Sequence, residues 1–246
     1  MLIALIADIH ANRLALDACL AKAKSLAASR FVFLGDLVGY GAEPEEVVAS
    51  VMAMAEDGAA VVMGNHDQAA VAGTAAMNEA ALRAIVWTAG QLSSKAKTFL
   101  AGLPMTATDG DVLFVHADAS APQRWLYVRS SHEARRSLAA TRASVTFCGH
   151  THVPALFCSA PGGRMVVHRP ITDAPIPLSS RRQWLAVIGS AGQPRDGNPA
   201  AAFATYETET RVLTHRRAPY DVEAAARRIR AAGLPEVLAA RLLRGR

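Results

Sequence analysis

The chain has few cysteines and no long apolar run, and these two features argue against a disulfide-bonded protein and against a membrane-spanning one. Its three cysteines, Cys19, Cys148 and Cys158, show no C-x-x-C spacing. An odd, sparse count argues against a disulfide framework and favours reduced thiols buried as small hydrophobic residues. No apolar run approaches the roughly 18–20 residues that span a bilayer. We therefore expect no membrane partner.

The apolar start of the chain resembles the core of a signal peptide but has no basic residue before it. Residues 2–7 are all apolar and are preceded only by Met1, whereas signal peptides begin with positive charge. The segment also runs directly into Asp8 and His10, so cleavage would remove both side chains. We interpret it as a buried first strand and predict a cytoplasmic location.

Aromatic residues make up only 6% of the chain, and this bears on its basic C-terminal part. Residues 211–246 contain nine arginines against three acidic residues, whereas the preceding residues contain 17 basic and 18 acidic side chains. A basic segment is one signature of nucleic-acid binding, but no aromatic side chain is interleaved with the last six arginines to stack on bases. An amphipathic terminal helix with a solvated arginine face is therefore favoured over a nucleic-acid partner.

Apolar runs and helix-like segments alternate over residues 2–150. Strands are predicted at residues 2–7, 31–34, 59–63, 112–115 and 145–148, and helices at 13–27, 44–55, 77–100 and 131–140. This alternation predicts βαβ units and a largely parallel sheet. We expect an α/β fold.

The pattern changes after His152 to short strands separated by turns. Residues 155–160 and 164–169 flank Pro161-Gly162-Gly163 and predict a hairpin; further strands are predicted at 183–188, 202–206 and 211–216, an exposed loop at 170–180, and helices at 221–232 and 235–243. A parallel half joined to an antiparallel half indicates two sheets that share one core. We predict a single domain over residues 1–246, with a motif-bearing half at 1–152, a β-rich half at 153–218 and closing helices at 219–246.

Five short segments place acid, amide and imidazole side chains at the ends of predicted strands. They are Asp8-Ile9-His10, Gly35-Asp36, Gly64-Asn65-His66-Asp67, Val115-His116-Ala117-Asp118 and Gly149-His150-Thr151-His152. Five of the eight histidines lie in these segments. Loops that follow strand ends are where α/β folds collect their chemistry, so these segments are the candidate functional site.

The residue types in these segments indicate a metal site. On an extended strand end, side chains two residues apart point the same way, as for Asp8 with His10 and His150 with His152. Nitrogen and oxygen donors without thiolate suit Mn, Fe, Zn, Co or Ni. Seven donors exceed the needs of one ion with a reactive water and suit two ions about 3.5–4 Å apart that share a carboxylate. The seven are Asp8, His10, Asp36, Asn65, His116, His150 and His152.

Cys148 and Asn12 lie close to these segments, and each has two interpretations. Cys148, two residues before His150, is either a core thiol or a soft metal ligand; we favour the core thiol. Asn12 either caps the helix that follows it or contacts substrate, and we favour the cap.

The five motifs in this order resemble those of the calcineurin-like metallophosphoesterase superfamily: D-x-H, G-D, G-N-H-[DE], a lone His and G-H-x-H. They span residues 8–152, and residues 35–41 and 189–197 resemble a bacterial and archaeal subgroup of small phosphoesterases. The resemblance implies two packed mixed β-sheets flanked by helices, a four-layer sandwich, with a dinuclear metal centre at the sheet edge.

The resemblance also implies a role for each site residue. The first metal would take Asp8, His10 and His152, the second Asn65, His116 and His150, and Asp36 would bridge the two ions. His66, which is not a ligand, would be the general acid, and Asp67 would orient it and keep it protonated.

The activity that the resemblance implies is hydrolysis of phosphate esters by a metal-bridging hydroxide, with two divalent transition-metal ions (Mn, Fe, Zn, Ni or Co) as cofactors. We expect the substrate to be a small molecule or nucleotide, either a phosphodiester or a phosphomonoester. One alternative is a nuclease that acts on DNA or RNA. Another is a non-catalytic scaffold that binds proteins, which intact metal ligands disfavour.

Arg195 is a candidate for substrate binding. It lies in a turn of small residues stiffened by Pro194, and a guanidinium held in this way can grip a phosphate in two places. The alternative is a surface turn in which Arg195 pairs with Asp196 or a nearby acid. The sequence does not separate the two.

Overall fold

The computed structural model describes residues 1–73, 77–160, 162 and 164–246 of the chain. The described residues form twelve strands: β1 (Leu2–Ile6), β2 (Arg30–Phe33), β3 (Ala60–Val61), β4 (Thr106–Asp109), β5 (Val112–Val115), β6 (Val145–Cys148), β7 (Ala155–Ser159), β8 (Met165–His168), β9 (Pro175–Pro177), β10 (Trp184–Val187), β11 (Ala201–Glu207) and β12 (Val212–Ala218). They also form eight α-helices: α1 (Arg13–Ser25), α2 (Pro44–Glu56), α3 (Asn65–Ala72), α4 (Glu79–Gln91), α5 (Ser94–Ala101), α6 (Ser131–Ala139), α7 (Val222–Ala231) and α8 (Glu236–Arg244).

The strands form two six-stranded sheets, and each sheet is mixed. The first has the order β3-β2-β1-β11-β12-β9, and the second has the order β4-β5-β6-β10-β7-β8. In the first sheet β1 pairs parallel with β2 and antiparallel with β11. In the second, β6 pairs parallel with both β5 and β10. The strands that precede the five motifs are therefore divided between the two sheets.

The two sheets pack face to face over one apolar core, with helices outside. Leu5 and Tyr206 of the first sheet share this core with Phe114 and Phe147 of the second. The outer face of the first sheet is covered by α1 and α2, and that of the second by α6. Helices α4, α7 and α8 form a further apolar cluster around Tyr40. The predicted α/β fold of two mixed sheets flanked by helices is thus confirmed.

Three helix starts follow from local sequence. Asn12 caps α1 by accepting a hydrogen bond from the Ala15 N–H. Pro44 is at the start of α2, ahead of two acidic residues whose charge suits the helix N-terminus. Ser130 and Glu133 form a capping box at the start of α6. These helices begin where the sequence predicts.

Several elements differ from the prediction. The helix predicted at residues 77–100 is two helices, because Leu92 is extended and Ser93 caps the second. Helix α3 and strand β4 were not predicted, and the loop predicted at 170–180 contains the short strand β9, which pairs with β12. The hairpin of β7 and β8 forms as predicted, but Pro161 and Gly163 of its turn lie outside the described residues. Among the described helices, none is long and apolar enough to cross a membrane.

Candidate metal centre

The two sheets present the carboxyl ends of their parallel strands at one common edge, and the five motifs meet there. Backbone pairing continues past the strands: the Asp8 N–H donates to the Gly35 carbonyl at 3.1 Å, and the Gly149 N–H donates to the His116 carbonyl at 2.9 Å. The His150 N–H then crosses between the sheets to the Asp8 carboxylate, at 2.9 and 3.0 Å to its two oxygens. The motifs thus converge across two sheets, whereas the alternation over residues 2–150 predicted one largely parallel sheet.

The converging side chains form two groups with metal-binding geometry. In each group the candidate ligand atoms lie within 4.8 Å of one another, and all the residues are buried. The first group is Asp8, His10, Asp36 and His152, and the second is Asp36, His116 and His150. The amide oxygen of Asn65 lies 3.3 Å from His116 Nε2, at the second group. The structure therefore brings all seven predicted ligands together, with Asp36 common to both groups.

The backbone at these positions is held in an uncommon conformation. Five of the seven residues have positive φ angles between 50° and 63°: Asp8, His10, Asp36, His150 and His152. Residues other than glycine adopt this region infrequently, and its cost is tolerated mainly where the surrounding structure requires it. The concentration of positive φ angles on the candidate ligands supports this edge as the candidate functional site.

Each of the four histidines in the two groups donates one ring N–H to a backbone carbonyl. His10 Nδ1 contacts the Val38 carbonyl at 3.1 Å and His152 Nδ1 the Gln193 carbonyl at 2.7 Å. The other two pairs are His116 Nδ1 with the Leu34 carbonyl (2.7 Å) and His150 Nε2 with the Trp125 carbonyl (2.9 Å). A carbonyl can only accept, so the proton of each neutral ring is fixed on the outer nitrogen and the lone pair faces inward.

The inward nitrogens lie close to one another. His10 Nε2 and His152 Nε2 are 3.1 Å apart, and His116 Nε2 and His150 Nδ1 are 3.2 Å apart. With the ring protons committed outward, lone pair faces lone pair between His10 and His152, and burial lowers the pKa of His10 well below the ordinary value, which disfavours relief by protonation. Burial likewise lowers the pKa of His150, but at His116 the nearby Asp36 carboxylate outweighs burial and raises the pKa to about 9, so a bound cation would take the place of the His116 proton. Such a donor set fits a divalent cation.

The shared carboxylate, Asp36, is charged and fixed in place. Burial alone would raise its pKa, but nearby His116 and His66 hold the pKa well below the usual range. One oxygen accepts a hydrogen bond from the His66 N–H at 2.8 Å, and the other lies 3.4 Å from His116 Nε2 and 3.7 Å from His10 Nε2. Asp36 therefore directs one oxygen toward both groups, as a bridging ligand must.

His66 lies beside the two groups. Its ring centre is 4.8 Å from that of His10, the side chain is buried, and its Nδ1 has no hydrogen-bond partner among the described residues. Burial lowers the pKa of His66 to about 4. The position suits a group that acts on a bound substrate rather than a ligand.

Asp67 does not orient His66, and this corrects the role that the family resemblance implied. Its carboxylate accepts hydrogen bonds from the backbone N–H groups of Leu37 (2.8 Å), Val38 (3.1 Å) and Gly64 (3.0 Å). Burial and the Asp36 charge raise the pKa of Asp67 to about 7. Because its oxygens are committed to backbone donors, Asp67 fixes the loop that carries Asp36.

The two predicted substrate-binding residues have different surroundings. All three side-chain hydrogen bonds of Asn12 are internal: it accepts from the Ala15 N–H and donates to the Gly192 carbonyl and the Tyr220 hydroxyl. This favours the capping alternative. Arg195 does not pair with Asp196; it donates to the Gln193 side chain at 3.0 Å.

Arg195 points toward the centre. Its guanidinium carbon lies 5.8 Å from the centre of the Tyr40 ring, and that ring is 4.5 Å from His10 and 4.4 Å from His66, centre to centre. Asp196 instead pairs with Arg217. The alternative in which Arg195 pairs with its acidic neighbour is therefore excluded.

Three aromatic residues at the site were missed by sequence reasoning. Tyr40 lies between His10, His66 and Arg195, as described. Tyr127 stacks on His150, with ring centres 4.1 Å apart, and Trp125 supplies the carbonyl that fixes His150. Tyr40 stood within the recognised Gly39-Tyr40-Gly41 segment, which was a usable signal, but the loop that carries Trp125 and Tyr127 has no periodicity or motif.

Two other expectations are confirmed. Cys148 is a core thiol: it is buried in the apolar cluster on the outer face of the second sheet and belongs to neither group. Helix α7 is amphipathic, with Ala226 and Ile229 buried and its arginines facing acidic partners such as Glu43 and Glu236.

Three comparisons with known proteins agree with this geometry. The family model of the calcineurin-like phosphoesterase superfamily domain matches residues 1–211. An uncharacterized protein of Methanocaldococcus jannaschii is 31% identical over 252 residues, which cover 100% of this chain and 98% of that protein. A metallophosphoesterase structure from Sphaerobacter thermophilus matches with a TM-score of 0.89 and 34% identity, over 100% of this chain and 99% of the other. A hypothetical protein from Pyrococcus horikoshii shares the fold, with a TM-score of 0.80, 18% identity, and coverage of 100% and 98%.

Proposed function

The chain belongs to the calcineurin-like phosphoesterase superfamily, and from this premise we propose that it hydrolyses phosphate esters with the aid of two divalent transition-metal ions. One observation carries the proposal: four buried histidines each donate one N–H to a backbone carbonyl and turn the other nitrogen toward a shared carboxylate. A core that merely accommodated histidines would have no reason to gather four inward ring nitrogens against one another and against two buried carboxylates.

The donor set suits two ions. The first would be held by Asp8, His10 and His152, the second by Asn65, His116 and His150, and both by Asp36. Imidazole nitrogen with carboxylate and amide oxygen favours Mn, Fe, Zn, Co or Ni over Mg or Ca. Such ions lower the pKa of bound water and offset charge on phosphoryl oxygens.

The protein's own groups would act around this centre. His66, beside the first group, would deliver a proton to the leaving oxygen of the ester once the negative charge of the bound substrate raises its pKa from about 4. Arg195 is placed to hold a phosphoryl oxygen, since its guanidinium extends toward the side of His10 and His66. Asp67 and Gly64 keep the loop of Asp36 in register with the loop of Asn65.

We propose a small phosphorylated molecule or nucleotide as the substrate and the cytoplasm as the location. The three cysteines are free and buried, which suits a reducing compartment. The arginines of α7 that would form a nucleic-acid surface are paired with acidic side chains, which favours a small substrate over DNA or RNA. All seven candidate ligands are in place, which favours an enzyme over a scaffold.

The proposal is tested by assaying the protein after reconstitution with each metal. The panel comprises p-nitrophenyl monoesters and diesters, dinucleotides and cyclic nucleotides, and a chelator-treated sample gives the baseline. Asp36→Asn should abolish the metal-dependent rate, whereas Asp17→Asn, a half-exposed carboxylate on α1, should retain it. Equal rates with and without metal, or no hydrolysis of any ester by fully loaded protein, would contradict the proposal.

A further inference from the structure

A cavity of about 550 Å³ lies beside the metal centre, and the proposed mechanism uses none of its lining residues except Arg195. Its walls come from both sheets: Pro154 and Ile188 belong to the ends of the second, and Ala202 and His215 to the first. Its rim begins with Val153, the residue that follows His152. The volume is within the range of small-molecule sites, about 300–1,000 Å³.

The cavity is strongly basic. Among its described lining residues there is one side-chain carboxylate, that of Asp196, and it is paired with Arg217. Five arginines line the cavity: Arg169, Arg195, Arg216, Arg217 and Arg246. Arg216 is paired with Asp173, but within the described chain Arg169 and Arg195 have no carboxylate within ion-pair distance. The cavity thus has positive charge that the protein does not neutralise.

Arg195 connects this cavity to the centre. It lines the cavity, while its guanidinium lies near the Tyr40 ring that contacts His10 and His66. Its backbone N–H donates to the His152 carbonyl at 3.2 Å, which fixes the loop to the ligand segment. Its Nε is buried without a hydrogen-bond partner in the described chain. A buried guanidinium N–H without an acceptor is costly, which indicates that an oxygen of a bound ligand accepts its hydrogen bond.

We propose that the substrate carries a second phosphate group, which occupies this arginine-lined cavity while the scissile phosphate lies at the metal centre. Guanidinium groups bind phosphate through paired hydrogen bonds, and several of them suit a dianion better than a single carboxylate. At about 550 Å³ the cavity has room for one small anionic group with its linker. This inference rests on the proposed phosphoesterase function and names its substrate class.

The test compares adenosine 5′-monophosphate with adenosine 3′,5′-bisphosphate, which differ only in the second phosphate. Phosphate release by metal-loaded protein should show a kcat/KM about 10-fold higher for the bisphosphate, and Arg169→Gln should remove this preference. Arg169→Gln should hydrolyse p-nitrophenyl phosphate like the wild type, because that ester has no second phosphate to occupy the cavity and Arg169 belongs to none of the five motifs. The matched control is Arg181→Gln, an exposed arginine just before β10, at the opposite end of the strand from the site.

A binding measurement separates this inference from the function itself. Calorimetry with chelator-treated protein, its fold checked by circular dichroism, should show adenosine 3′,5′-bisphosphate binding that weakens about 10-fold in Arg169→Gln but not in Arg181→Gln. Loss of that binding difference would overturn the cavity assignment even if esters are hydrolysed. Retained binding with no hydrolysis would support the cavity as the site of the second phosphate and contradict the phosphoesterase proposal. Preferred cleavage of a single-stranded oligonucleotide over the bisphosphate would overturn the small-substrate assignment.

Discussion

Asp36 and Asp67 each hold the backbone of the loop that carries the other. The Asp36 carboxylate accepts from the His66 N–H at 2.8 Å, and the Asp67 carboxylate accepts from the Leu37 N–H at 2.8 Å. The G-D loop and the G-N-H-D loop are thus joined by two reciprocal side-chain contacts. The position of Asp36 between the two groups depends on these two hydrogen bonds.

Replacing Asp67 with Asn should therefore reduce stability and metal content together. The amide keeps one acceptor but brings N–H donors against backbone N–H groups, so we expect a loss of about 1–3 kcal/mol in the free energy of unfolding. Urea denaturation with metal analysis would measure both, and Asp57→Asn, at the exposed end of α2, is the control. If Asp67 served only to tune His66, the variant would change the pH profile of kcat and leave stability intact.

Metal stoichiometry should follow the membership of the two groups. His10 belongs only to the first group and His150 only to the second, whereas Asp36 belongs to both. We expect His10→Ala and His150→Ala each to retain about one ion of two, and Asp36→Asn to retain less than either. Elemental analysis after supplementation and desalting gives the ratio. Equal losses in all three variants would show a single cooperative site.

His66→Ala should lower kcat while leaving metal content unchanged. The ring lies beside His10 without belonging to either group, and general acid catalysis typically contributes about 10²–10⁴ in rate. The loss should be smaller for a p-nitrophenyl ester than for an alkyl ester, because a good leaving group needs less protonation. Identical losses on both esters would remove His66 from the acid role.

Gly149→Ala should damage the first group selectively. A Cβ at this glycine would lie 2.8 Å from Ala7 Cβ and would collide with the Asp8 carboxylate. We expect loss of the first ion with the second retained. Gly90→Ala is the matched control: no atom lies within 4 Å of its Cβ position in α4, so it should stabilise by about 1 kcal/mol. A normal metal content in Gly149→Ala would mean that Asp8 can shift without losing its ligand role.

His215 should make the protein less stable in acid. Burial lowers the pKa of this histidine to about 4, from an ordinary value of 6.5. Between these values the unfolded chain binds the proton and the native chain does not, so stability is complete above pH 6.5 and is lost as pH falls toward 4. The loss attributable to His215 is at most about 3 kcal/mol. Urea midpoints at pH 7 and pH 4.5 should therefore differ less in His215→Gln than in the wild type; an unchanged difference would assign the acid sensitivity elsewhere.

The sequence predicted the candidate ligands because each follows a strand-like apolar run, and the end of such a run predicts the end of a strand. It predicted the start of α1 after its cap Asn12 and that of α2 at Pro44, but it missed the cap Ser93 and so merged α4 with α5. It did not predict α3, whose first residues were assigned to the motif loop, or β4, whose alternating exposed residues contain no apolar run. The division into one domain over residues 1–246 stays a prediction.

The hydrogen bonds that orient the histidine rings and Asp67 could not be predicted from the sequence, for a physical reason. The partners that fix the histidine protons are backbone carbonyls, of Leu34, Val38, Trp125 and Gln193, and a backbone carbonyl has no residue signature. The same holds for Asp67, whose partners are backbone N–H groups. Side-chain identity predicted which residues would lie together at the sheet edge. It did not predict which backbone atoms would form hydrogen bonds with them.

The division of the motif strands between two sheets has a consequence for synthesis on the ribosome. All seven candidate ligands lie before residue 153, yet β10 and β11, the central strands that flank β6 and β1, begin only at Trp184 and Ala201. A nascent chain therefore exposes every donor before it has the strands that set the two half-sites against each other. Because domains generally fold as units and a preformed site rarely exists in unfolded chains, selective uptake of ions by this centre would belong to the end of translation, and a stalled chain would hold donors without discrimination among metals.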